Sequence, residues 1–580
     1  MGKNTKNNTN QERQLMNFDI NTVPFSCYGS YLAFSYPRDG EGVYQDHLAL
    51  RILYGMFNEQ ETYPIVMLNQ EGVPVAGDIE ATPVQLKVSA GGQGYQICFQ
   101  NEDTVHLKGS TDIMITKTKM FGLMCDRVMH HETGSWEIAG NDASVIIEMI
   151  RGSISDDSVW SEEGTRCENI KVLIHPDKTG EFEMKLTLAG LSYRKPQNLT
   201  YEQNLLNVET AFEDFKKHFN TGIEKYKDSM ELAAYISWHS VVRPEGYVKY
   251  PVMLMTKNKM NMVWSWDYTF NALAMMDKDP VLAYDQFLAI AEMQEKDGSY
   301  PDAFHARAYV CTFVKPPVQG FILKRMFKIQ RPGMDILRKI YDSVVRFTKW
   351  WFDYRGNIDG IPVYHHGNDS GWDNSTAFRL GVPVKAPDLS AWLIIQLDFL
   401  ADTALELGLI EEADVWKKKS EELLQKMLAL FVENNHMKAI KVPDNKTVEC
   451  DSLLLYVPLI LGEKLPAEIR ERMLEELLKE KNFITDYGIA SEPVDSPYFV
   501  EDGYWRGAIW PPTAYIMTEA LMANGRKEEA VLNARRFCDM CASEGFFENY
   551  SAIDGHGLRD SGFTWTASVF MILIRDYLEK

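Results

Sequence analysis

The 580-residue sequence predicts a multidomain protein, an N-terminal antiparallel β-sandwich followed by an (α/α)6 barrel. Length, a switch in hydrophobic period and an alternation of link lengths carry that prediction. A chain this long exceeds one ordinary core, so two domains are expected. Apolar residues recur at period two up to about residue 195 and at the helical period from about residue 227.

Ser30–Tyr36, Val84–Val88, Tyr95–Phe99 and Glu183–Leu188 alternate between Gly, Asp, Asn and Pro turns. Such segments make strands with one apolar face, and two sheets of them cover each other. Residues 1–199 are assigned to this sandwich domain. Residues 200–226 are expected to be a helical linker, because Phe212, Phe215 and Phe219 recur at spacings of three and four and share one helix face.

Residues 227–580 are assigned to the barrel, with twelve helices starting near 229, 266, 280, 316, 333, 388, 410, 451, 466, 511, 526 and 562. Counted from the first of these, short links such as Asp277-Lys278-Asp279, Gln330-Arg331-Pro332 and Gly462-Glu463-Lys464 follow the even-numbered helices. Long polar segments follow the odd-numbered ones, at about 244–265, 296–315, 355–387, 433–450, 481–510 and 543–561. Short turns make neighbours antiparallel, so all six long segments share one rim. Long irregular loops inside a compact domain are usually functional.

Composition narrows the chemistry. A net charge of -22 and a pI near 5.1 oppose binding to nucleic acid or an anionic membrane, which needs clustered Lys and Arg. The polar start, Met1 to Asn8, leads into no apolar run of signal-peptide length, and no 18-residue apolar span occurs, so a cytoplasmic location is expected. Eight scattered cysteines suit reduced thiols, including the Cys538-x-x-Cys541 pair, which has no second pair for a zinc site. Glycosylation sequons begin at Asn198, Asn368, Asn374, Asn445 and Asn549, and a glycan at 374 or 549 would crowd the residues singled out next.

The third long segment holds Gly367-Asn368-Asp369-Ser370-Gly371-Trp372-Asp373-Asn374-Ser375. An indole beside a carboxyl disfavours the charged form, so Asp373 is a candidate general acid. The sixth holds Phe546-Phe547-Glu548-Asn549-Tyr550, 175 residues later but on the same expected rim. Two opposed carboxyl groups flanking an acetal carbon are the machinery of glycoside hydrolysis, and aromatic rings stack on the C–H faces of sugars. The fifth segment supplies Tyr504-Trp505-Arg506-Gly507 and Trp510-Pro511-Pro512, and the first ends in Trp264-Ser265-Trp266-Asp267-Tyr268.

Trp266-Asp267, Ser370-Gly371-Trp372-Asp373-Asn374-Ser375, Tyr504-Trp505-Arg506-Gly507-Ala508-Ile509-Trp510, Phe547-Glu548-Asn549-Tyr550 and Phe563-Thr564-Trp565-Thr566-Ala567 together resemble glycoside hydrolase family 63, in order, over about residues 260 to 570. That family includes processing α-glucosidase I and the mannosylglycerate and glucosylglycerate hydrolases, and it is related to the trehalases. The resemblance implies an inverting, exo-acting hydrolase of an α-linked, α-glucosidic small oligosaccharide or glycoside. It implies Asp373 as the acid, Glu548 as the base, and Asp267, Trp505 and Arg506 around the cleaved sugar. Trp266, Trp372, Tyr504, Trp510 and Tyr550 complete the expected substrate-binding set. Asp369 and Thr376 depart from the family pattern, where Glu and Pro are common.

Several residues keep a second role open. Asp373 suits a loop cap, Asp369 is a rival acid, and Asp267 suits a helix N-terminus. Arg506 could pair with Glu501 or Asp502, Trp505 and Trp510 could line the core, and Arg307 and Arg325 could meet an acidic aglycone. His305, His365 and His366 lack ligand spacing, so neither metal nor cofactor is expected. The expected partner is a small carbohydrate, and no oligomeric state is implied. The alternatives are a disaccharide phosphorylase on the same architecture, which needs an anion site and no general base, or a carbohydrate-binding protein without turnover.

Overall fold

The computed structural model describes residues 16–37, 44–54, 60–117, 125–356, 358–479 and 482–580. The polar N-terminal residues 1–8 lie outside this range. Two antiparallel sheets fill the N-terminal part. One runs, in spatial order, through Leu32–Ser35, Ala49–Ile52, Glu61–Leu68, Ile113–Thr116, Lys171–His175 and Ser153–Asp156. The other runs through Arg127–His130, Trp136–Ala139, Ser144–Arg151, Phe182–Ala189, Thr104–Gly109, Gln93–Phe99, Leu86–Ala90 and Asp78–Ala81. Ile52 and Ile65 of the first share one buried cluster with Ile97, Leu107, Ile147 and Leu186 of the second. The Tyr95 hydroxyl crosses between the sheets to the Ile65 carbonyl at 3.1 Å.

Helix α1, Tyr201–Lys216, starts at a capping box in which Thr200 and Gln203 satisfy each other's backbone N–H. It lies on the second sheet and turns Phe212 onto Tyr235 and Trp238 of α2, Lys227–Ser240. After it come α3 (Asp267–Met275), α4 (Pro280–Glu292), α5 (Gln319–Ile329), α6 (Met334–Tyr354), α7 (Pro387–Glu406) and α8 (Ile410–Phe431). A 3₁₀ segment (Leu453–Lys464), α9 (Ala467–Leu477), α10 (Pro511–Ala523), α11 (Lys527–Glu544) and α12 (Thr564–Leu573) complete the series. The helix expected near 451 is thus 3₁₀ rather than α. Pro458 inside it lacks an N–H and clashes with an α-helical turn.

Packing closes six of these elements on themselves: α3 meets α5, α5 meets α7, α7 the 3₁₀ segment, that segment α10, α10 α12, and α12 returns to α3. The other six stand behind them, α4 on α3, α8 and α6 on α7, α9 on the 3₁₀ segment, α11 on α10 and α2 on α12. Every residue of α3 and α12 is buried, as a helix enclosed on all sides requires. The long connections run from α2 to α3, α4 to α5, α6 to α7, α8 to the 3₁₀ segment, α9 to α10 and α11 to α12. Among the described residues no helix is long and apolar enough to cross a membrane.

The two parts are joined at a buried lysine. Lys257, in the connection before α3, is fully buried and donates from Nζ to Ser26 Oγ (3.0 Å), to the Cys27 carbonyl (3.4 Å) and, closest of the three, to the Ser30 carbonyl. The next residue, Asn258, donates from Nδ2 to the Thr22 carbonyl at 3.2 Å and the Ser561 carbonyl at 3.0 Å. Burial lowers the Lys257 pKa to about 7. The unfolded chain therefore binds the extra proton between pH ~7 and ~10.4, and stability rises with pH across that window. Thermal unfolding should show the native chain gaining on a Lys257→Met variant as pH goes from about 7 to about 10; a constant difference in Tm would contradict a buried, titrating ammonium.

Candidate active site

The loop from α6 to α7 is built around Asp369. Its Oδ2 takes the Arg355 guanidinium at 2.7 Å and the amides of His365 (2.9 Å) and His366 (3.1 Å), while Oδ1 accepts the Val314 amide at 3.2 Å. At 1% exposure it is a buried clip that folds its own loop. The rival acid of the sequence is therefore occupied elsewhere. Gly371 follows at φ +75°, and a Cβ there would lie 2.7 Å from the Trp266 indole. That close approach, in the left-handed region, is what the Ser-Gly-Trp sequence provides.

Asp373 comes next in the loop. A third of its side chain (34%) reaches solvent although protein surrounds the rest. Burial raises its pKa against the opposing pull of Lys315, and Asp302 raises it further. Lys315, which sequence reasoning did not single out, lies just before α5 and is 4% exposed. Its Nζ is 3.2 Å from Asp302 Oδ1 and 3.9 Å from Asp373 Oδ1, and donates to the Asn368 carbonyl at 3.1 Å. Burial opposes its charge, but Asp373, Asp302 and Asp267 hold its pKa above the ordinary lysine value. The signal for Lys315 and Asp302 was faint, a lysine before a Pro-Pro pair and an aspartate in a long loop.

Asp267 opens α3 behind Trp266 and is 5% exposed. Burial pushes its pKa up to about 8, Lys315 pulling it back and the charges of Asp302 and Glu548 adding to the rise. Its Oδ2 is buried with no hydrogen-bond partner. A buried acceptor left so costs about 1–3 kcal/mol, and a ligand hydroxyl would offset that cost.

Glu548 stands on the strand Phe547–Tyr550, paired with Gly557–Ser561. It is 5% exposed and accepts the Tyr504 hydroxyl at 2.9 Å. Burial raises its pKa to about 7; the Tyr504 hydrogen bond lowers it and the charges of Asp560 and Asp373 raise it. Tyr504 has φ +64°, uncommon for an aromatic residue. In that conformation its carbonyl accepts Trp510 Nε1 at 3.1 Å and its ring meets the Trp510 ring edge-on at 4.7 Å.

The tryptophans form one buried wall. Trp505 and Trp510 stack at 3.8 Å with planes 3° apart, Trp372 lies 4.9 Å from Trp505, and Trp266 lies 6.2 Å from Trp505 and 6.1 Å from Trp565. Asn374 ties this wall to the acid loop, accepting the Trp505 amide at 2.9 Å and donating to the Gly503 carbonyl at 3.0 Å.

Other expected residues are placed differently. Tyr550 is wholly buried and its hydroxyl donates to the Gly545 carbonyl at 2.6 Å while accepting the Phe547 amide at 3.2 Å. These bonds brace the Glu548 strand from behind. Arg506 forms neither of its envisaged ion pairs: it donates to the Tyr498 carbonyl at 3.1 Å, its Nε is buried without a partner, and its charge acts on Glu492. Asp502 pairs with Arg559, and Glu501 accepts from Ser551. Glu492, also missed, is fully buried, receives the Thr376 hydroxyl at 2.8 Å and has its pKa raised by burial to about 7. It thereby staples the acid loop to the loop of Trp505.

Arg325 is taken up by Glu519 at 2.8 Å, and Arg307 by Glu245 at 2.9 Å. Cys538 and Cys541 are buried free thiols, and among the described residues no three His, Cys, Asp or Glu group as metal ligands would. A groove of about 710 Å³ on the second sheet, lined by Lys87, Lys108, Arg151 and Glu202, is remote from this cluster, and its charges are paired with one another.

Residues 260–566 match the family model described as mannosylglycerate hydrolase MGH1-like glycoside hydrolase domain. A mannosylglycerate hydrolase of Thermus thermophilus is 29% identical over 413 residues, covering 54% of this chain and 94% of the relative. The crystal structure of a GH63 mannosylglycerate hydrolase from the same species, in complex with glucose, superposes with a TM-score of 0.51 at 19% identity over 58% of this chain and 98% of that one. The mannosyl-oligosaccharide glucosidase of Saccharomyces cerevisiae is 30% identical over 125 residues, 18% of this chain and 15% of that protein. A bacterial glucoamylase complexed with acarbose shares the fold across nearly the whole length, with a TM-score of 0.65 at 11% identity over 99% of this chain and 96% of the other.

The two aspartates of one loop should separate in an unfolding experiment. Removing the buried Arg355 partner by Asp369→Ala should cost about 3–5 kcal/mol in denaturant unfolding. Asp373→Asn should cost less, about 1 kcal/mol, because that side chain is partly open, its contact with Lys315 is long at 3.9 Å, and Lys315 keeps Asp302.

Proposed function

Because this chain belongs to the mannosylglycerate hydrolase MGH1-like family of glycoside hydrolases, we propose that Asp373 and Glu548 are the acid and base of an inverting, exo-acting hydrolysis of an α-linked, α-glucosidic small oligosaccharide or glycoside. The observation that carries this reading is the pair itself. Two carboxyls from different long connections, α6 to α7 and α11 to α12, both have raised pKa values, and Glu548 feels the charge of Asp373. Asp373 protonates the departing oxygen; Glu548 draws a proton from water as it attacks the opposite face. Single displacement needs the carboxyls about 6.5–9.5 Å apart, with room for that water.

Asp267, with its free Oδ2, binds hydroxyls of the cleaved sugar, and the Trp505–Trp510 stack and Trp372 exclude water beside it. Trp266 backs the acid loop and Tyr504 orients the base. The α-glucosidic preference is supported by likeness to the yeast glucosidase. An acidic cleft of Asp267, Asp302, Asp373 and Glu548 disfavours a phosphate nucleophile, so hydrolysis is preferred over phosphorolysis.

The closed ring of six elements with six behind it is, in this reading, an (α/α)6 barrel over 227–580, joined by the 200–226 linker to a sandwich over 1–199. A cytoplasmic location belongs to the same proposal. The sequon asparagine Asn549 is wholly buried and Asn374 is held by hydrogen bonds, positions unsuited to glycans.

NMR of the first released sugar from an α-glucoside should show the β-anomer; initial α-anomer would refute single displacement. Asp373→Asn and Glu548→Gln should each lower kcat by about 10²–10⁴-fold with the fold intact, and near-normal turnover would remove the assignment. The pH profile should respond with opposite origins. Tyr504→Phe removes a bond that favours the Glu548 carboxylate, moving the acidic limb of kcat/KM up by roughly one pH unit. Lys315→Met removes the cation that favours ionised Asp373, moving the alkaline limb to higher pH.

A further inference from the structure

We propose that Tyr247 and Tyr309 form a sugar-stacking platform at the cleft rim, which holds distal rings of the leaving group and makes a chain of three or more sugars the preferred substrate. The proposal rests on the assignment of Asp373 as the acid and extends it outward.

Both rings are open to solvent, 42% and 41% exposed, and they meet edge to face at 5.1 Å. Exposed aromatic pairs are unusual unless something covers them, and an edge-to-face pair leaves one ring face free for an apolar C–H surface. The backbone holds them in place. Tyr309 opens the outer strand of a three-stranded sheet, Tyr309–Val310 on Ala303–Phe304 on Val263–Trp264. Tyr247 lies between Glu245 and Val248, which bond to each other, and its amide donates to the Ala306 carbonyl at 3.0 Å. Gly246, at φ +56°, allows this, since a Cβ there would overlap the same carbonyl. The platform is thus anchored on two loops, with little to order when a ring lands on it.

Its position assigns it to the leaving group. The sheet that carries Tyr309 also carries Asp302, whose amide donates to the Val310 carbonyl at 2.7 Å. Strand spacing of about 4.8 Å and a rise of about 3.3 Å per residue keep the Tyr309 backbone within roughly 10 Å of Asp302. Asp302 reaches Lys315 at 3.2 Å, and Lys315 reaches Asp373 at 3.9 Å. Phe313, partly exposed on the same stretch of chain, packs at 4.7 Å on His366 of the acid loop. The acid protonates the leaving oxygen, so groups continuous with the acid and not with the base border the departing part. An exo-acting enzyme extends the rest of its chain in that direction. Tyr54, just past the strand Ala49–Ile52, stacks under Arg307 at 4.3 Å, so the N-terminal part braces the platform.

The test is steady-state kinetics of the full chain on maltose through maltopentaose, the matching α-manno-oligosaccharides and p-nitrophenyl α-glucoside, comparing native protein with Tyr309→Ala, Tyr247→Ala and Tyr309→Phe. For chains of three or more sugars, the alanine variants should raise KM about fivefold to tenfold, one lost aromatic contact, with kcat unchanged. The aryl glucoside should show no such rise, and Tyr309→Phe should keep native KM. An equal KM change at every length, or none at any length, overturns the platform. If the native chain hydrolyses none of these, the hydrolytic assignment fails separately. Calorimetric binding of the same oligosaccharides to Asp373→Asn, with and without Tyr309→Ala, then decides: a length-dependent loss of affinity supports the platform, and unchanged affinity or absence of binding refutes it.

Discussion

One buried ammonium makes the cleft floor possible. Asp267, Asp302, Asp373 and Glu548 converge in a space walled by indoles, and burying each as an anion would cost several kcal/mol. Lys315 supplies the neutralising charge for the aspartates, itself fixed by Asp302 and the Asn368 carbonyl. Burial pushes the pKa of Asp267 up to about 8 and that of Glu548 up to about 7, and the charges of neighbouring carboxylates add to both rises. The burial that forms the site is also what tunes its acid–base groups.

The wall that imposes this desolvation is itself built under strain. Trp505 and Trp510 lie almost parallel, and the Trp510 N–H is satisfied by the carbonyl of Tyr504, a residue in the left-handed region. The same twist aims the Tyr504 hydroxyl at Glu548. An unfavourable backbone conformation is thus stabilised by a stack on one side and a carboxylate on the other. Gly371 plays the complementary part, giving up its side chain so that the acid loop can lie on Trp266.

Much of this was legible in the sequence because periodicity and link length are local properties. The helices begin at Lys227, Asp267, Pro280, Gln319, Met334, Pro387, Ile410, Leu453, Ala467, Pro511, Lys527 and Thr564, within three residues of the starts expected from the pattern. The Trp-Asp and Glu motifs stood out by composition. What was not legible depends on which way a side chain turns. Asp369 and Asp373 differ by four positions and look alike in sequence, yet one is locked by Arg355 and the other keeps a third of its side chain open beside Lys315. Lys315 and Glu492 gain meaning only from carboxylates and loops distant in sequence. Tyr550, read as a ligand contact, points back into its own hairpin because the Gly545 carbonyl beyond α11 needs a donor.

The Lys257–Asn258 junction also has a temporal side. Asn258 bridges the carbonyls of Thr22 and Ser561, and the adjacent Lys259 and Met260 amides reach Asp560, on the strand paired with that of Glu548. On a ribosome adding about 5–20 residues per second, Ser561 emerges some 15–60 s after Asn258. The early-made turn at residues 22–30 can already be docked on Lys257 while the Glu548 hairpin is still unsynthesised. The nascent chain therefore carries its acid loop for about 9–35 s before the base at Glu548, 175 residues later, is made.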